Sequence, residues 1–158
     1  MAEIKTNAMR MLDKAKIKYN MYTYEHEDGK IDGVSVAAKL GQDVNAVYKT
    51  LVTRGASRAN YVFVIPVAKE LDLKKAAKAV GEKSVEMVHV DEINKLTGYI
   101  RGGCSPVGMK KLFSTVFDQA VENLPAVIVS GGKIGFQIEV APSDLLPLVK
   151  AKTAEITF

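Results

Sequence analysis

Lys49 is the residue whose surroundings in the sequence are least usual for its chemistry. It lies in the segment Val47–Leu51, whose β-branched and aromatic residues predict a strand. Because side chains alternate between the two faces of a strand, Lys49 shares a face with Val47 and Leu51. A lysine on such a face either extends its ammonium to solvent or lines a pocket, since a buried unpaired charge is costly. Alternation alone favours the extended lysine, and both interpretations stay open at this point.

Cys104 is the single cysteine of the chain and the second candidate for chemistry. It lies in the segment 102–106, Gly-Gly-Cys-Ser-Pro, and glycines allow a backbone to approach a substrate closely. A catalytic cysteine needs a base or a positive environment that generates thiolate, and the sequence places none beside it. The sequence therefore favours a small packing residue over a nucleophile. A lone cysteine is also typical of a reducing compartment, because it cannot form an intramolecular disulfide.

The other reactive residue types argue against a metal or a nucleotide. His26 and His89 are far apart and neither lies at a paired-ligand spacing, so no metal site is expected. The segment 131–133, Gly-Gly-Lys, is followed by Ile134 and a predicted strand. A phosphate-binding loop would instead continue with Ser or Thr and a helix, which disfavours a nucleotide triphosphatase. We expect no metal and no cofactor.

Length and composition favour one domain over residues 1–158. The net charge of +4 is compatible with an RNA partner through counterion release, although the excess is mild. No run approaches the roughly 20 apolar residues that a membrane span needs. The sequence also begins without an apolar leader. These features predict a cytoplasmic protein that does not contact a membrane.

The elements that must position these residues alternate between helices and strands. Predicted helices have apolar residues three and four apart, and predicted strands are rich in β-branched and aromatic residues. The segment 61–67 is apolar throughout, which predicts a central strand covered on both faces. The predicted order is a helix with Ile4, Ala8, Met11, Leu12 and Ala15 on its apolar side, a strand over 19–26, a helix over 34–40 that Gly41 ends, strands over 47–53 and 61–67, a helix capped by Asp72, and a short helix that contains Ile93 and Leu96.

The last third of the sequence predicts a hairpin. Strands over 126–130 and 136–141 flank the glycine-rich loop 131–135. A short helix is then expected to begin at Asp144 as its N-cap, with Pro147 in the first turn, where the missing N–H costs little. Interleaved helices and strands together with a hairpin predict an α+β fold with a mixed sheet.

Five segments, in order along nearly the whole chain, resemble the signature segments of the YbaK/EbsC family. Each is weak alone, but five in order at fitting distances are specific. The resemblance implies a mixed, partly barrel-like β-sheet surrounded by helices. The segments are 22–26 (Tyr-Thr-Tyr-Glu-His), 48–51 (Tyr-Lys-Thr-Leu), 73–78 (Leu-Lys-Lys-Ala-Ala-Lys), 97–108 (Thr-Gly-Tyr-Ile-Arg-Gly-Gly-Cys-Ser-Pro-Val-Gly) and 129–135 (Val-Ser-Gly-Gly-Lys-Ile-Gly).

The resemblance also implies roles for particular residues. Lys49 corresponds to the essential catalytic residue of the family. Two positions depart from the family pattern: Cys104 stands where an aliphatic residue is expected, and Gln137 stands where some members carry an acid. No role is therefore assigned to Gln137. The residues implied to bind substrate are Tyr24, Thr50, Gly102, Gly103 and Ser130.

The activity implied by the resemblance is release of cysteine from mischarged Cys-tRNA(Pro), and from Cys-tRNA(Cys), with the cysteinyl thiol as nucleophile. The implied partners are the 3′ acceptor end of aminoacyl-tRNA and, as a second candidate, prolyl-tRNA synthetase. Two alternatives stay open on the sequence. One is removal of another amino acid, such as alanine from Ala-tRNA(Pro). The other is a non-catalytic module that binds tRNA or a synthetase.

Overall fold

Eight strands in two sheets and five α-helices form residues 5–158, the part of the chain that this computed structural model describes. Two short 3₁₀ turns, Val44–Ala46 and Gln119–Asn123, connect them. The helices are α1 (Asn7–Lys14), α2 (Gly33–Leu40), α3 (Leu73–Val80), α4 (Val90–Thr97) and α5 (Pro142–Leu148). The strands are β1 (Asn20–Thr23), β2 (Tyr48–Gly55), β3 (Asn60–Pro66), β4 (Val85–Met87), β5 (Ser114–Asp118), β6 (Val127–Ser130), β7 (Phe136–Val140) and β8 (Lys152–Ala154).

The larger sheet is mixed and has the strand order β4-β2-β3-β5-β8. β2 pairs antiparallel with both β3 and β4, whereas β3 and β5, and β5 and β8, run parallel. The middle strand is β3, whose residues Val62–Ile65 are completely buried. A strand that is apolar at successive positions has both faces covered, and the predicted central strand is confirmed.

The smaller sheet has the order β1-β7-β6 and is antiparallel throughout, which confirms the predicted hairpin. An isolated parallel bridge between Val47 and Ile128 joins the two sheets immediately before β2 begins. The predicted α+β fold with a mixed sheet is confirmed, and the bridge links β6, an edge strand of the smaller sheet, to the larger sheet. Lys49 lies two residues beyond this junction.

Local signals explain where several helices begin and end. Asp72 caps α3 by accepting hydrogen bonds from the amides of Lys74 and Lys75, as predicted. Gly41 ends α2 in the left-handed conformation (φ 64°), which glycine adopts without steric cost. Thr6 caps α1, and its hydroxyl also donates to the carbonyl of Gly131. That second bond fastens α1 to the glycine-rich loop of the hairpin.

Two helix predictions are wrong in detail. In α1 the buried residues are Ala8, Met9 and Leu12, whereas Met11 is 38% exposed. Met9, three residues before Leu12, is buried in place of Met11. The buried side of the helix is therefore rotated about the helix axis relative to the prediction. Ala15 is the C-cap of α1, and the predicted contribution of Ile4 lies outside the described residues.

The second correction concerns α5. Its N-cap is Ala141 and not Asp144, and Pro147 lies inside the helix rather than in its first turn. Pro142 occupies the first helical position, where its fixed φ suits the helix and its missing N–H has no intrahelical partner to lose. Asp144 lies instead in the first turn, where a carboxylate interacts favourably with the helix dipole.

Candidate active site

A cavity of about 370 Å³ opens beside the junction of the two sheets. Small-molecule sites span roughly 300–1,000 Å³, so this volume suits a small-molecule ligand or one end of a larger one. Five separate stretches of chain form its walls: the β1–α2 connection with the start of α2, the start of β2, Val67 just after β3, the segment around Gly102 and Cys104, and the β6–β7 hairpin. The lining residues are Tyr24, Ile31, Asp32, Gly33, Val34, Val36, Val47, Tyr48, Lys49, Thr50, Leu51, Val67, Arg101, Gly102, Cys104, Val129, Ser130, Phe136 and Gln137.

Five of the six residues predicted from the sequence line this one cavity, namely Tyr24, Lys49, Thr50, Gly102 and Ser130. Their roles remain predictions. The sixth is Gly103, which is buried and is not a lining residue. A Cβ atom at Gly103 would come within 2.9 Å of the Ile134 backbone nitrogen. Gly103 thus allows the two glycine-rich turns to touch.

Lys49 is half-buried in β2, opposite Ile65 of β3. Within residues 5–158 its ammonium forms no ion pair and no hydrogen bond. A partly desolvated cation without an anionic partner attracts negative charge more strongly than a cation in bulk water. The ammonium of Lys49 is therefore available to a negatively charged ligand in the cavity.

Thr50 places a second polar group at the same wall. Its hydroxyl oxygen is buried and finds no hydrogen-bond partner within the described chain. Leaving a buried hydroxyl unpaired costs about 1–3 kcal/mol, so such groups usually have a ligand or water as partner. The hydroxyl of Thr50 is suited to hydrogen-bond a polar ligand.

The hairpin and the turn at Gly102 supply further donors. The Ser130 hydroxyl oxygen accepts a hydrogen bond from the amide of Gly132, which leaves its own proton free to donate. Gly102 has a φ of 87°, and a Cβ atom there would meet Ile31 at 2.8 Å. The positive φ therefore favours glycine here, whereas the contact is with the terminal methyl group of Ile31, which can move aside.

Sequence reasoning did not single out Arg101, although this exposed cation also lines the cavity. Its guanidinium forms no ion pair within the described residues. Arginine presents several N–H donors in a planar array that matches phosphate geometry. Its position next to Gly102, a residue implied to bind substrate, was the one available signal in the sequence.

Gln137 is 5% exposed and is one of the lining residues of the cavity. Its side-chain oxygen accepts a hydrogen bond of 2.7 Å from the Gln42 side-chain nitrogen. With its oxygen engaged, Gln137 has an NH₂ group left to donate. The wall is uncharged at this point.

Cys104 contributes to the cavity wall but is only 9% exposed. Burial raises the pKa of its thiol to about 11, partly offset by a hydrogen bond with Thr97. The thiol therefore stays protonated near neutral pH, and the thiolate needed for attack does not form. This environment favours the packing role over the nucleophilic role.

We expect the Cys104→Ala variant to keep kcat/KM within about twofold of the parent protein for any reaction in this cavity, because a protonated thiol contributes no nucleophile. The raised pKa also has a consequence for stability. Burial raises the pKa of the Cys104 thiol from 9.0 to about 11 on folding. The contribution of this group to stability is therefore complete at low pH and is lost as the pH rises from 9.0 to about 11.

Urea unfolding across that pH window checks the second effect. The free energy of unfolding should fall with pH, and it should fall less steeply in Cys104→Ala. Tyr99 contributes a remaining slope in both proteins, because burial raises the pKa of its hydroxyl to about 12. Identical slopes in the two proteins would contradict the assignment to Cys104.

No group of three or more His, Cys, Asp or Glu side chains is arranged to hold a metal ion within residues 5–158. The two histidines lie apart: the backbone of His89 donates to the Glu92 carboxylate at the start of α4, and the ring of His26 lies against Gly135. Over the same part of the chain, no helix combines the length and apolar character that crossing a bilayer requires.

Comparison with known proteins identifies close relatives. The model of the aminoacyl-tRNA editing domain family matches residues 31–148, which include Lys49, Thr50, Gly102 and Ser130. A protein of Enterococcus faecalis that carries the provisional name Cys-tRNA(Pro)/Cys-tRNA(Cys) deacylase EbsC is 48% identical over 153 residues, covering 97% of this chain and 93% of that protein.

Solved structures share the fold over nearly the whole chain. One, provisionally named a trans-editing enzyme for prolyl tRNA synthetase, is 25% identical with a TM-score of 0.82 and 99% of each chain covered. A scaffold protein from computational epitope grafting is 24% identical with a TM-score of 0.81, covering 98% of this chain and 99% of its own, and shows the fold alone. Since the family model spans most of the chain and the Enterococcus relative matches at nearly half of all positions, the protein belongs to the family of aminoacyl-tRNA editing domains.

Proposed function

We propose that this protein is a metal-independent trans-editing deacylase that releases cysteine from mischarged Cys-tRNA(Pro), and from Cys-tRNA(Cys). The observation that carries the proposal is the ammonium of Lys49, unpaired within residues 5–158, in a cavity walled by the turn at Gly102 and the strands of the β6–β7 hairpin. The name of the Enterococcus relative supports the substrate, and the family supports the reaction class. The chain would act as a single editing domain.

The reaction needs a nucleophile that the lining residues do not provide. Burial keeps Cys104 protonated, and neither histidine lines the cavity. The cysteinyl group of the substrate carries its own thiol close to the ester carbonyl. Intramolecular groups that are well oriented reach effective molarities of roughly 10⁵–10⁸ M, so positioning this thiol is an efficient solution.

In the proposed step, the substrate sulfur attacks the ester carbonyl carbon. A C–S bond forms, the C–O bond to the terminal ribose breaks, and the proton lost by the thiol is balanced by one gained at the ribose oxygen. The products are a four-membered cysteine thiolactone and tRNA with a free ribose hydroxyl. Water then opens the thiolactone to cysteine.

We propose that the ammonium of Lys49 stabilises negative charge on the substrate. This charge would be either the one developing on the carbonyl oxyanion or the one on the phosphate of the terminal nucleotide. The Ser130 hydroxyl and the backbone around Gly102 and Gly103 would donate to the same charge. Tyr24, half-buried just beyond β1, would contact the terminal ribose or adenine, as aromatic residues do in many single-stranded RNA sites.

In this proposal, the protein binds the acceptor end of an aminoacyl-tRNA as its substrate. Arg101 at the cavity supports a contact with the RNA backbone, since cations there release condensed counterions. Prolyl-tRNA synthetase is proposed as a protein partner on the name of the structural relative alone. The reaction would take place in the cytoplasm, where aminoacyl-tRNAs are used.

The decisive experiment incubates purified protein with labelled Cys-tRNA(Pro), Cys-tRNA(Cys) and Ala-tRNA(Pro), and follows loss of the ester. The proposal requires rapid loss from both cysteinyl substrates. Faster release of alanine than of cysteine would replace it with a different editing specificity. Tight binding of all three substrates without turnover would show a non-catalytic tRNA-binding module.

The Thr50→Val variant tests the unpaired hydroxyl separately. We expect kcat/KM for Cys-tRNA(Pro) to fall about tenfold, because a hydrogen bond to the substrate is lost. The free energy of unfolding should stay constant or increase by up to about 1 kcal/mol, since an unsatisfied buried group is removed.

Thr53→Val is the matched control in the same strand. Thr53 is fully buried, and its hydroxyl already donates to the carbonyl of Tyr61 at 3.0 Å. We expect this variant to lose about 1 kcal/mol of stability while keeping its activity. Urea unfolding and initial rates measure both effects. An activity loss in Thr53→Val equal to that in Thr50→Val would contradict a direct substrate contact by Thr50.

A further inference from the structure

The two ends of the connection between β1 and α2 form part of the cavity wall. Tyr24 begins this connection, Ile31 and Asp32 end it, and all three line the cavity. The backbone of Tyr24 is fixed by a 3.0 Å hydrogen bond to the carbonyl of Gly135. The position of this connection therefore sets the width of the cavity on that side.

The middle of the connection contacts the hairpin through the His26 ring, which lies against Gly135. The exposed stretch covers residues 25–30, Glu-His-Glu-Asp-Gly-Lys. It contains no hydrophobic side chain that could pack against the core. Its internal bonds are local: the amide of Gly29 donates to the carbonyl of His26, and the amide of Lys30 donates to the Asp28 carboxylate. Local bonds shape the turn but do not attach it to the rest of the protein.

Lys39, in the last turn of α2, makes that attachment. Its ammonium donates to the carbonyl of Glu25 at 2.8 Å, to the Asp28 carboxylate at 2.8 Å and to the carbonyl of Lys30 at 3.1 Å. An ammonium has three N–H donors, so all of them are used on one segment. The three acceptors span the whole exposed stretch, from its first residue to its last.

This arrangement differs from an ordinary surface ion pair. A single exposed pair contributes little, because it competes with water and costs side-chain entropy. Here a single ammonium on a helix donates hydrogen bonds to two main-chain carbonyls and one carboxylate, which lie at three different positions along the turn. The pKa of Asp28 is lowered by its hydrogen bond with Lys39, consistent with a carboxylate that stays ionised in this contact.

We propose that Lys39 is a positioning residue that holds the β1–α2 connection against the cavity and so keeps Tyr24 and Ile31 in place around the terminal nucleotide. The inference rests on the proposed deacylase function for its kinetic consequence, but the structural link itself does not depend on it. Lys39 lies outside the cavity lining and acts only through the segment that it holds.

The Lys39→Met variant tests this role, because methionine keeps much of the aliphatic chain and removes all three donors. We expect KM for Cys-tRNA(Pro) to rise roughly tenfold while kcat changes less than about threefold, since the lost contacts position the nucleotide rather than the reacting ester. Amide hydrogen exchange should become faster in residues 25–32 and remain unchanged in β2 and β3.

Lys75→Met is the matched control. Lys75 also links a helix to a neighbouring segment, donating to the Glu155 carboxylate and the Thr157 carbonyl, but it lies outside the cavity. Its KM should equal that of the parent enzyme. Unchanged exchange in residues 25–32 of Lys39→Met would overturn the proposal, and so would an equal rise in KM in both variants. If the parent protein shows no deacylation, the proposed function fails, whereas the exchange measurement still decides the role of Lys39.

Discussion

Replacing Lys49 with alanine should lower kcat/KM for Cys-tRNA(Pro) by at least about 100-fold, because the substitution removes the cation that stabilises negative charge in the transition state. The magnitude follows from the environment. Lys49 is half-buried and has no protein anion to neutralise it within residues 5–158, so its charge is directed entirely toward a ligand. Single-turnover rates with labelled substrate measure the loss.

The fold should survive this substitution. Lys49 makes no internal hydrogen bond or ion pair with the described chain, so we expect the free energy of unfolding to change by less than about 1 kcal/mol. Lys83→Ala, at an exposed position away from the cavity, is the matched control and should retain full activity. If Lys49→Ala turned over Cys-tRNA(Pro) at the parental rate, the assignment of the catalytic residue would be wrong.

Seryl-tRNA(Pro) should be deacylated at least about 100-fold more slowly than cysteinyl-tRNA(Pro). The two substrates have nearly the same size and differ in one atom, sulfur against oxygen. A thiol has a pKa near 8.5 and forms a strong nucleophile close to neutral pH, whereas an alcohol does not. A cavity that merely selected by volume and supplied water as the nucleophile would treat the two esters alike.

The measurement compares initial rates of ester loss for both substrates, each corrected for spontaneous hydrolysis with the Lys49→Ala protein as a blank. Trapping the first product of the cysteinyl reaction with an added amine would reveal an acylated amine derived from the thiolactone. Equal rates for the two substrates would remove the substrate thiol from the mechanism while leaving the deacylase activity in place.

Strong local signals explain which parts of the fold were predictable. The hairpin was marked by two β-rich segments around a glycine-rich loop, and β3 by its unbroken apolar run. Asp72 and Gly41 marked helix boundaries because their side chain and backbone preferences act locally. In each case the decisive interaction involves residues close together in the sequence.

Three strands of the larger sheet were not predicted, and their pairing explains why. β4 and β8 have only three residues each and lie at the two edges of the sheet. β5 is longer, but it pairs in parallel with β3, which lies about fifty positions earlier in the sequence. Parallel strands are not joined by a short turn, so no local sequence signal indicates this pairing. Proline at the start of α5 was a local signal that the prediction misread in favour of Asp144.

The candidate site was predictable in its residues more than in its geometry. Strand alternation could not decide between solvent and a pocket for Lys49, because the answer depends on the bridge between Val47 and Ile128 that brings the hairpin alongside β2. The link from Lys39 to the β1–α2 connection has no sequence signature at all. It depends on where the last turn of α2 lies relative to an exposed turn.

The cavity takes its walls from five stretches of chain, whereas the ammonium of Lys49 comes from one of them. Substitutions in the other four can enlarge, narrow or polarise the space around an amino acid without replacing that ammonium. In the proposed mechanism, the choice of amino acid would thus be set largely outside β2. Such an architecture would let relatives diverge in the errors that they correct while keeping the same lysine.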